Sequence, residues 1–221
     1  GYYATVAGGG FNTSGNYASV GGGWINTANG SFSAVPGGND NSAAGDYSFA
    51  AGRRAKIDAT HDGTFLFADQ TNADFNSAAA NEFAARATGG VRLITNTGGT
   101  TGAVLAAGGS TWSAPSAKAL KENYEDIDPE DILQRVAGMN IQRWNYIAND
   151  DSVKHIGPYA EDFHDAFQLN GEYNGRITTQ DLDGVALVAI QGLHEQLAEK
   201  DERIAKLEAR LTALEERLEQ W

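Results

Sequence analysis

Along the first sixty residues the apolar positions are short, alternating and punctuated by glycine, and the pattern returns about every 15 residues. Four units align on their glycines, beginning at Gly1, Gly15, Gly30 and Gly45. Each carries an aromatic residue two positions on (Tyr3, Tyr17, Phe32, Tyr47), then a small residue and a short apolar pair. A second glycine turn follows, and then Asn or Ala with Ser or Thr. This pattern predicts two short strands per unit, joined by glycine turns and stacked coil on coil. Small alternating side chains suit a narrow interior, and glycine supplies turn dihedrals that other residues avoid. A unit this short cannot bury its own apolar face, so it needs neighbours in the stack and other chains. A disordered Gly/Ser linker is the competing reading, but linkers do not place aromatics in phase.

Residues 61–115 change character. His61–Asp69, Asn81–Ala87, Gly89–Thr95 and Gly102–Leu105 read as short strands between glycine-rich turns, which makes this stretch a β-rich neck leading to Trp112. Beyond Ser116 the period becomes helical. Asp128-Pro129-Glu130-Asp131 offers an N-cap, a proline at the first helical position and acids in the first turn. Ile132, Leu133, Val136 and Met139 supply the apolar face of that helix. Asn140–Ile147 alternates and predicts a strand, Glu161–Phe167 a short helix with Phe163 and Phe167 on one face, and Leu169–Arg176 an exposed loop.

The last segment is a heptad run from about residue 186 to 221. Ile190, Leu197, Ile204, Leu211 and Leu218 fall at position a; Leu193, Lys200, Leu207, Leu214 and Trp221 fall at d, with only Lys200 breaking the seam. Arg203 and Arg210 at g precede Glu208 and Glu215 at the following e, the spacing of parallel, in-register chains. Such exposed pairs contribute only about 0.3–0.5 kcal/mol each, so they select orientation. The heptads leave strand number open: Ile at a with Leu at d leans toward dimers, mixed a positions toward trimers.

Charge and composition exclude several classes. The net charge of -13 makes nucleic acid and anionic membranes unlikely partners. No apolar run approaches a membrane span, no signal peptide opens the chain, and the glycine start reads as that of a fragment. With no cysteine there is neither disulfide nor thiol catalysis. His61, His155, His164 and His194 lack metal-ligand spacing, so no metal and no cofactor are expected. Asp181-Leu182-Asp183-Gly184 imitates a calcium loop, but helix follows at once and solvated helix-start acids explain it better. The four phased aromatics would suit a carbohydrate ladder; packing between coils or chains explains them better.

Where the β pattern stops, Ser116 is followed five residues later by Lys121. A hydroxyl with an amine in reach is the pairing of a chain that cuts itself. The bland reading of Ser116 is an N-cap for a helix starting near Ala117.

Two resemblances organise these readings. The repeat over 1–60 resembles the left-handed parallel β-roll head of trimeric surface adhesins. More specifically, Ser116 with Lys121-Glu122-Asn123, Trp144-Asn145-Tyr146, His155-Ile156-Gly157-Pro158, Asp162-Phe163 and Asp183-Gly184-Val185-Ala186-Leu187 leading to Ile190-Gln191-Gly192-Leu193 occur in one order. This resembles the endosialidase-type intramolecular chaperone, the self-cleaving peptidase S74 domain of phage tail fibres and tailspikes. The resemblance implies a multi-part fibrous homotrimer: a β-roll (β-solenoid) head at 1–60, a β-rich neck at 61–115, and an α-rich (α+β) chaperone domain at 116–221 ending in a parallel coiled coil. It further implies that the chaperone trimerises, folds the preceding β-structure and releases itself by a cut between Pro115 and Ser116. Ser116 would be the nucleophile and Lys121 the base, once burial favours its neutral amine. His155 would orient the site, or equally hold the turn that follows it. The family usually carries aspartate directly after the serine and this chain has Ala117, so slow or absent cleavage is expected. The partners implied are two further copies of the chain and, beyond them, a host cell-surface receptor or glycan; the location is a virion tail fibre or spike. The alternative is a bacterial surface adhesin whose coiled coil is a permanent stalk, which predicts a downstream membrane anchor and no serine-dependent cut.

Overall fold

The structure, a computed structural model, describes residues 1–219 of the 221. It divides into two units, Gly1–Glu122 and the chain from Asn123 onward.

The first unit opens with strands β1 (Thr5–Val6), β2 (Thr13–Ser14), β3 (Ser19–Val20), β4 (Thr27–Ala28), β5 (Ala34–Val35) and β6 (Gly38–Asn39). Next come β7 (Ser42–Ala43), β8 (Phe49–Arg53), β9 (Ala55–Ile57), β10 (Phe65–Ala68), β11 (Phe75–Asn76) and β12 (Phe83–Arg86). One sheet runs β1-β3-β5-β8-β10-β12, with β6 also on β8, and the other runs β2-β4-β7-β9-β11. Every one of these pairings is parallel. The two strands expected in each repeat therefore form, and they stack into a β-solenoid.

Parallel pairing continues beyond residue 60, through β10 and β11 to β12. Thr5 lies opposite Ser19, Ser19 opposite Ala34, Ala34 opposite Phe49, Phe49 opposite Phe65 and Phe65 opposite Phe83. The step thus lengthens from 14 residues to 15, then 16, then 18. That drift takes the last coils out of phase and made them read as separate strands. The rest of the expected neck is an antiparallel sheet of β13 (Val91–Ile94), β14 (Gly102–Leu105) and β15 (Trp112–Ser113).

Between the two solenoid sheets lies a core of small side chains, among them Ala18, Val20, Ala28, Val35, Ala43, Ala50, Ile57 and Leu66. So narrow an interior brings backbone against backbone: a Cβ on Gly38, at φ +100°, would sit 2.0 Å from the Gly52 carbonyl oxygen. It also encloses polar groups, which must be paired. Asn26 and Asn41, fully buried, do this as a ladder. Asn12 Oδ1 accepts from Asn26 N, Asn26 Oδ1 from Asn41 N, and Asn41 Oδ1 from Ala55 N.

At one corner of every coil the chain turns through a left-handed aromatic residue: Tyr3, Tyr17, Phe32 and Tyr47 have φ between 53° and 61°. This conformation costs about 1–2 kcal/mol per residue. Stacking of each ring on the next returns about 0.5–1.5 kcal/mol per pair, with centroids 5.4, 5.1 and 5.2 Å apart and planes within 18°. Packing between coils, the preferred reading of these rings, is what occurs. Phe49, Phe65 and Phe83 make a second stack at 4.7 and 4.8 Å. Arg86 closes the last turns: its guanidinium donates to Asp69 and to the carbonyls of Ala73, Thr71 and Arg53, and lies 5.5 Å from the Phe75 ring centre.

The second unit holds α1 (Pro129–Gly138), a hairpin of β16 (Gln142–Trp144) and β17 (His155–Gly157), α2 (Ala160–Phe167) and α3 (Thr179–Glu219). Asp128 caps α1 by accepting from Glu130 N and Asp131 N, as its sequence predicts. The strand expected over 140–147 is shorter, because the chain turns at Tyr146–Asn149. Val185, Ala189 and Gly192 are the buried residues of α3. At Gly192 the helix backbones nearly touch: a Cβ there would lie 2.3 Å from the Pro129 carbonyl oxygen of α1. Farther along α3 the heptad residues Ile190, Leu193, Leu197, Ile204, Leu207, Leu211, Leu214 and Leu218 are all exposed in the single chain. Trp221, the last d position, lies outside the described residues. Among the described residues no helix is long and apolar enough to cross a membrane.

Candidate active site

Pro115 and Ser116 lie in exposed, extended chain between β15 and a single 3-10 turn, Lys118–Leu120. The turn is held by Leu120 N donating to Ala117 O (3.0 Å) and Lys121 N to Lys118 O (3.1 Å). A regular helix would not align residues five apart; the tighter turn, flanked by extended backbone at Ala117 and Lys121, does. Lys121 Nζ donates to Ser116 Oγ at 2.8 Å, within the reach required of a nucleophile and its base. Ser116 is not a helix cap, since the turn's N-cap is Ala117 and no side chain caps it.

Both members of this pair are exposed in the single chain. An amine open to water holds its proton, and a protonated lysine cannot act as a base. One chain thus supplies the proximity and leaves the enclosure to be supplied.

His155 belongs to the second unit. It stands directly across the hairpin from Trp144, ring centres 4.9 Å apart, and packs edgewise on Tyr146 at 5.5 Å. Its Nε2 and the Trp144 Nε1 are buried without a hydrogen-bonding partner. The histidine therefore holds the hairpin together, the structural one of its two expected roles.

The acids at the start of α3 are bonded rather than merely solvated. Asp181 Oδ2 accepts from Thr178 Oγ1 and from Asn170 Nδ2, each at 2.6 Å, and Asp181 N donates back to Thr178 Oγ1 at 3.1 Å. This is a reciprocal cap, which a Thr-x-x-Asp spacing permits and the sequence reading passed over. The asparagine ladder of the solenoid was also missed as a bonded set, although Asn12, Asn26 and Asn41 recur in phase.

Residues 116–171 match the family model described as chaperone of endosialidase, peptidase S74. The match opens on Ser116 and takes in Lys121 and the Trp144–His155 hairpin. The chain therefore carries a chaperone-of-endosialidase segment after a β-solenoid. No curated protein matches the chain.

Proposed function

We propose that the region from Ser116 onward is an intramolecular chaperone that gathers three copies of the chain through α3, promotes folding of the β-solenoid before it, and is built to release itself by cutting between Pro115 and Ser116. The observation that carries this reading is the 2.8 Å contact of Lys121 Nζ with Ser116 Oγ at the first residues of the family match. The exposed heptad stripe of α3 and the Arg/Glu placement at g and e support a parallel self-association. A distal position on a virion tail fibre or spike, with a host receptor or glycan as the ultimate target, follows from the same reading.

In the cut, neutral Lys121 takes the proton of Ser116 Oγ while the oxygen attacks the Pro115 carbonyl carbon. The Pro115–Ser116 C–N bond then breaks, the lysine returns its proton to the departing Ser116 nitrogen, and an ester joins Pro115 to Ser116 Oγ. Water hydrolyses that ester, leaving a carboxylate on Pro115 and a free amine on Ser116. Enclosure of the lysine by neighbouring copies would favour its neutral form, so that cutting reports assembly. Ala117, where the family usually has aspartate, slows or abolishes the step.

The test is the denatured mass of the chain beside its Ala117→Asp variant, with Ser116→Ala added to that variant as control. Splitting before Ser116 in the aspartate variant alone supports the proposal. If neither variant splits while both form folded trimers, self-cleavage is wrong and the C-terminal half is a permanent cap. A stalk-type adhesin predicts that second result.

A further inference from the structure

Three Asn-Gly pairs occur in the chain: Asn29-Gly30, Asn170-Gly171 and Asn174-Gly175. Such pairs are chemically labile, because a glycine amide carries no side chain to hinder its attack on the asparagine carboxamide. Attack needs a free amide nitrogen and room for the chain to turn, and here the three sites differ.

Gly30 is buried and its N–H donates to Ala43 O at 3.1 Å. A Cβ on it would sit 1.9 Å from the Gly45 carbonyl oxygen, so the next coil presses directly against it. Asn29 N is bonded to Ala43 O as well, at 3.0 Å. Asn170, Gly171, Asn174 and Gly175 are all exposed in the loop between α2 and α3. The N–H groups of Gly171 and Gly175 donate to no acceptor among the described residues. Nothing stands within 4 Å of where a Gly171 Cβ would be, and only the Tyr173 hydroxyl approaches Gly175, at 3.9 Å. Asn174 Oδ1 also accepts from Arg176 N at 3.1 Å, a bond that draws electron density from the carbon to be attacked.

We propose that the α2–α3 loop is a spontaneous deamidation site, at Asn170 and Asn174, from which the solenoid fold protects Asn29. The glycine nitrogen adds to the asparagine Cγ, ammonia leaves and a cyclic imide closes. Water then opens the imide to aspartate or isoaspartate, and no other reagent is consumed. At Asn170 the reaction has a structural consequence. The Nδ2 that donates to Asp181 is lost, and a second carboxylate takes its place beside the one that caps α3. Two carboxylates at that distance repel, and the reciprocal cap at Thr178 loosens with them.

Peptide mapping of the folded full-length chain, aged in mildly alkaline buffer, tests this against the same chain aged in urea. In urea all three sites are expected to gain the deamidation mass at similar rates. In the folded chain the peptide carrying Asn170 and Asn174 keeps its rate within a few-fold, whereas Asn29 slows by about tenfold or more, as its amide is released only by local opening. Equal rates at all three folded sites, or an unmodified α2–α3 loop, would overturn the proposal. Asn170→Asp gives a second readout: amide exchange in the first turn of α3 rises, and unchanged exchange would refute the coupling to Asp181.

Discussion

Replacing Asn41 by alanine tests what the asparagine ladder contributes, because Asn12 offers the same chemistry in a wetter place. Asn12 Nδ2 donates to Gly8 O (2.8 Å) and Gly23 O (3.0 Å), and its Oδ1 accepts from Asn26 N (2.9 Å). Asn41 Nδ2 donates to Gly37 O (3.1 Å), Gly52 O (2.8 Å) and Asn26 Oδ1 (3.0 Å), and its Oδ1 accepts from Ala55 N (3.0 Å). The bonds are nearly the same, but Asn41 is 1% exposed and Asn12 lies partly in solvent. Water replaces the lost partners at Asn12, so Asn12→Ala should cost about 1 kcal/mol, the net worth of an ordinary hydrogen bond. At Asn41 water has no access. The Ala55 N–H loses its acceptor and the Gly37 and Gly52 carbonyls each lose a donor, at about 1–3 kcal/mol for each group left unpaired. Those carbonyls retain second lone pairs, which keeps the expected total at about 3–5 kcal/mol.

Hydrogen exchange read by mass spectrometry on the full chain resolves this locally. Asn41→Ala should speed exchange over residues 39–57 by roughly a hundredfold or more, while Asn12→Ala changes the first coils only modestly. Equal effects from the two variants would refute the reasoning, since burial would then not be what makes the ladder matter.

Other perturbations probe other parts of the fold. Asp69 accepts from Thr88 Oγ1 and N, from Thr71 N and from Arg86, and these bonds, those from Thr88 foremost, hold its carboxyl well below the usual range. A carboxyl depressed on folding stabilises above its unfolded pKa. That contribution fades as pH falls through the ordinary aspartate range and is gone only below the depressed value. Acid titration followed by exchange at residues 69–88 should show the loss, and Asp69→Asn should abolish its pH dependence; a dependence unchanged in the variant places the origin elsewhere. Gly192→Ala drives a methyl into the Pro129 carbonyl and should cost about 1–3 kcal/mol, seen as a lower melting temperature; an unchanged one would mean that α1 shifts freely on α3. Leu207→Glu places a charge in the middle of the exposed stripe of α3 and should convert the proposed trimer to monomer by light scattering; a trimer that persists excludes that stripe as the seam.

Local signals were legible wherever a short range of sequence decides the outcome. The cap and proline of α1, the Phe163–Phe167 face of α2 and the strand pairs of the first coils depend on neighbours within a few residues. The coils of β10, β11 and β12 were harder to read, because a stacking step that grows to 18 residues erases the period while keeping the pairing. The asparagine ladder was hidden for another reason. An asparagine beside glycine advertises a turn, and only the parallel stack shows that its amide bridges coils. At the site, the spacing of Ser116 and Lys121 announced the chemistry but not the geometry, which rests on the 3-10 turn between them.

The charge distribution ties these parts to an order of events. Up to Glu122 the chain has seven bases and eight acids; beyond it, nine bases and twenty-one acids, so -12 of the net -13 lies in the C-terminal part. A near-neutral stack of small residues with open strand edges is prone to pair with the wrong edge, while a strongly charged helical neighbour keeps the unfinished chain apart from others. The helices form from local contacts and fold fast, whereas each solenoid coil waits for a partner 14 to 18 residues away. In the proposed reading the same charge opposes assembly, because three such units must be brought together by the apolar stripe of α3. Self-association of the chain should therefore strengthen with added salt, as screening relieves the repulsion while leaving the leucine seam intact. Sedimentation equilibrium across a salt series reads this directly, and association that weakens with salt would mean that the Arg–Glu pairs, and not the apolar stripe, hold the copies together.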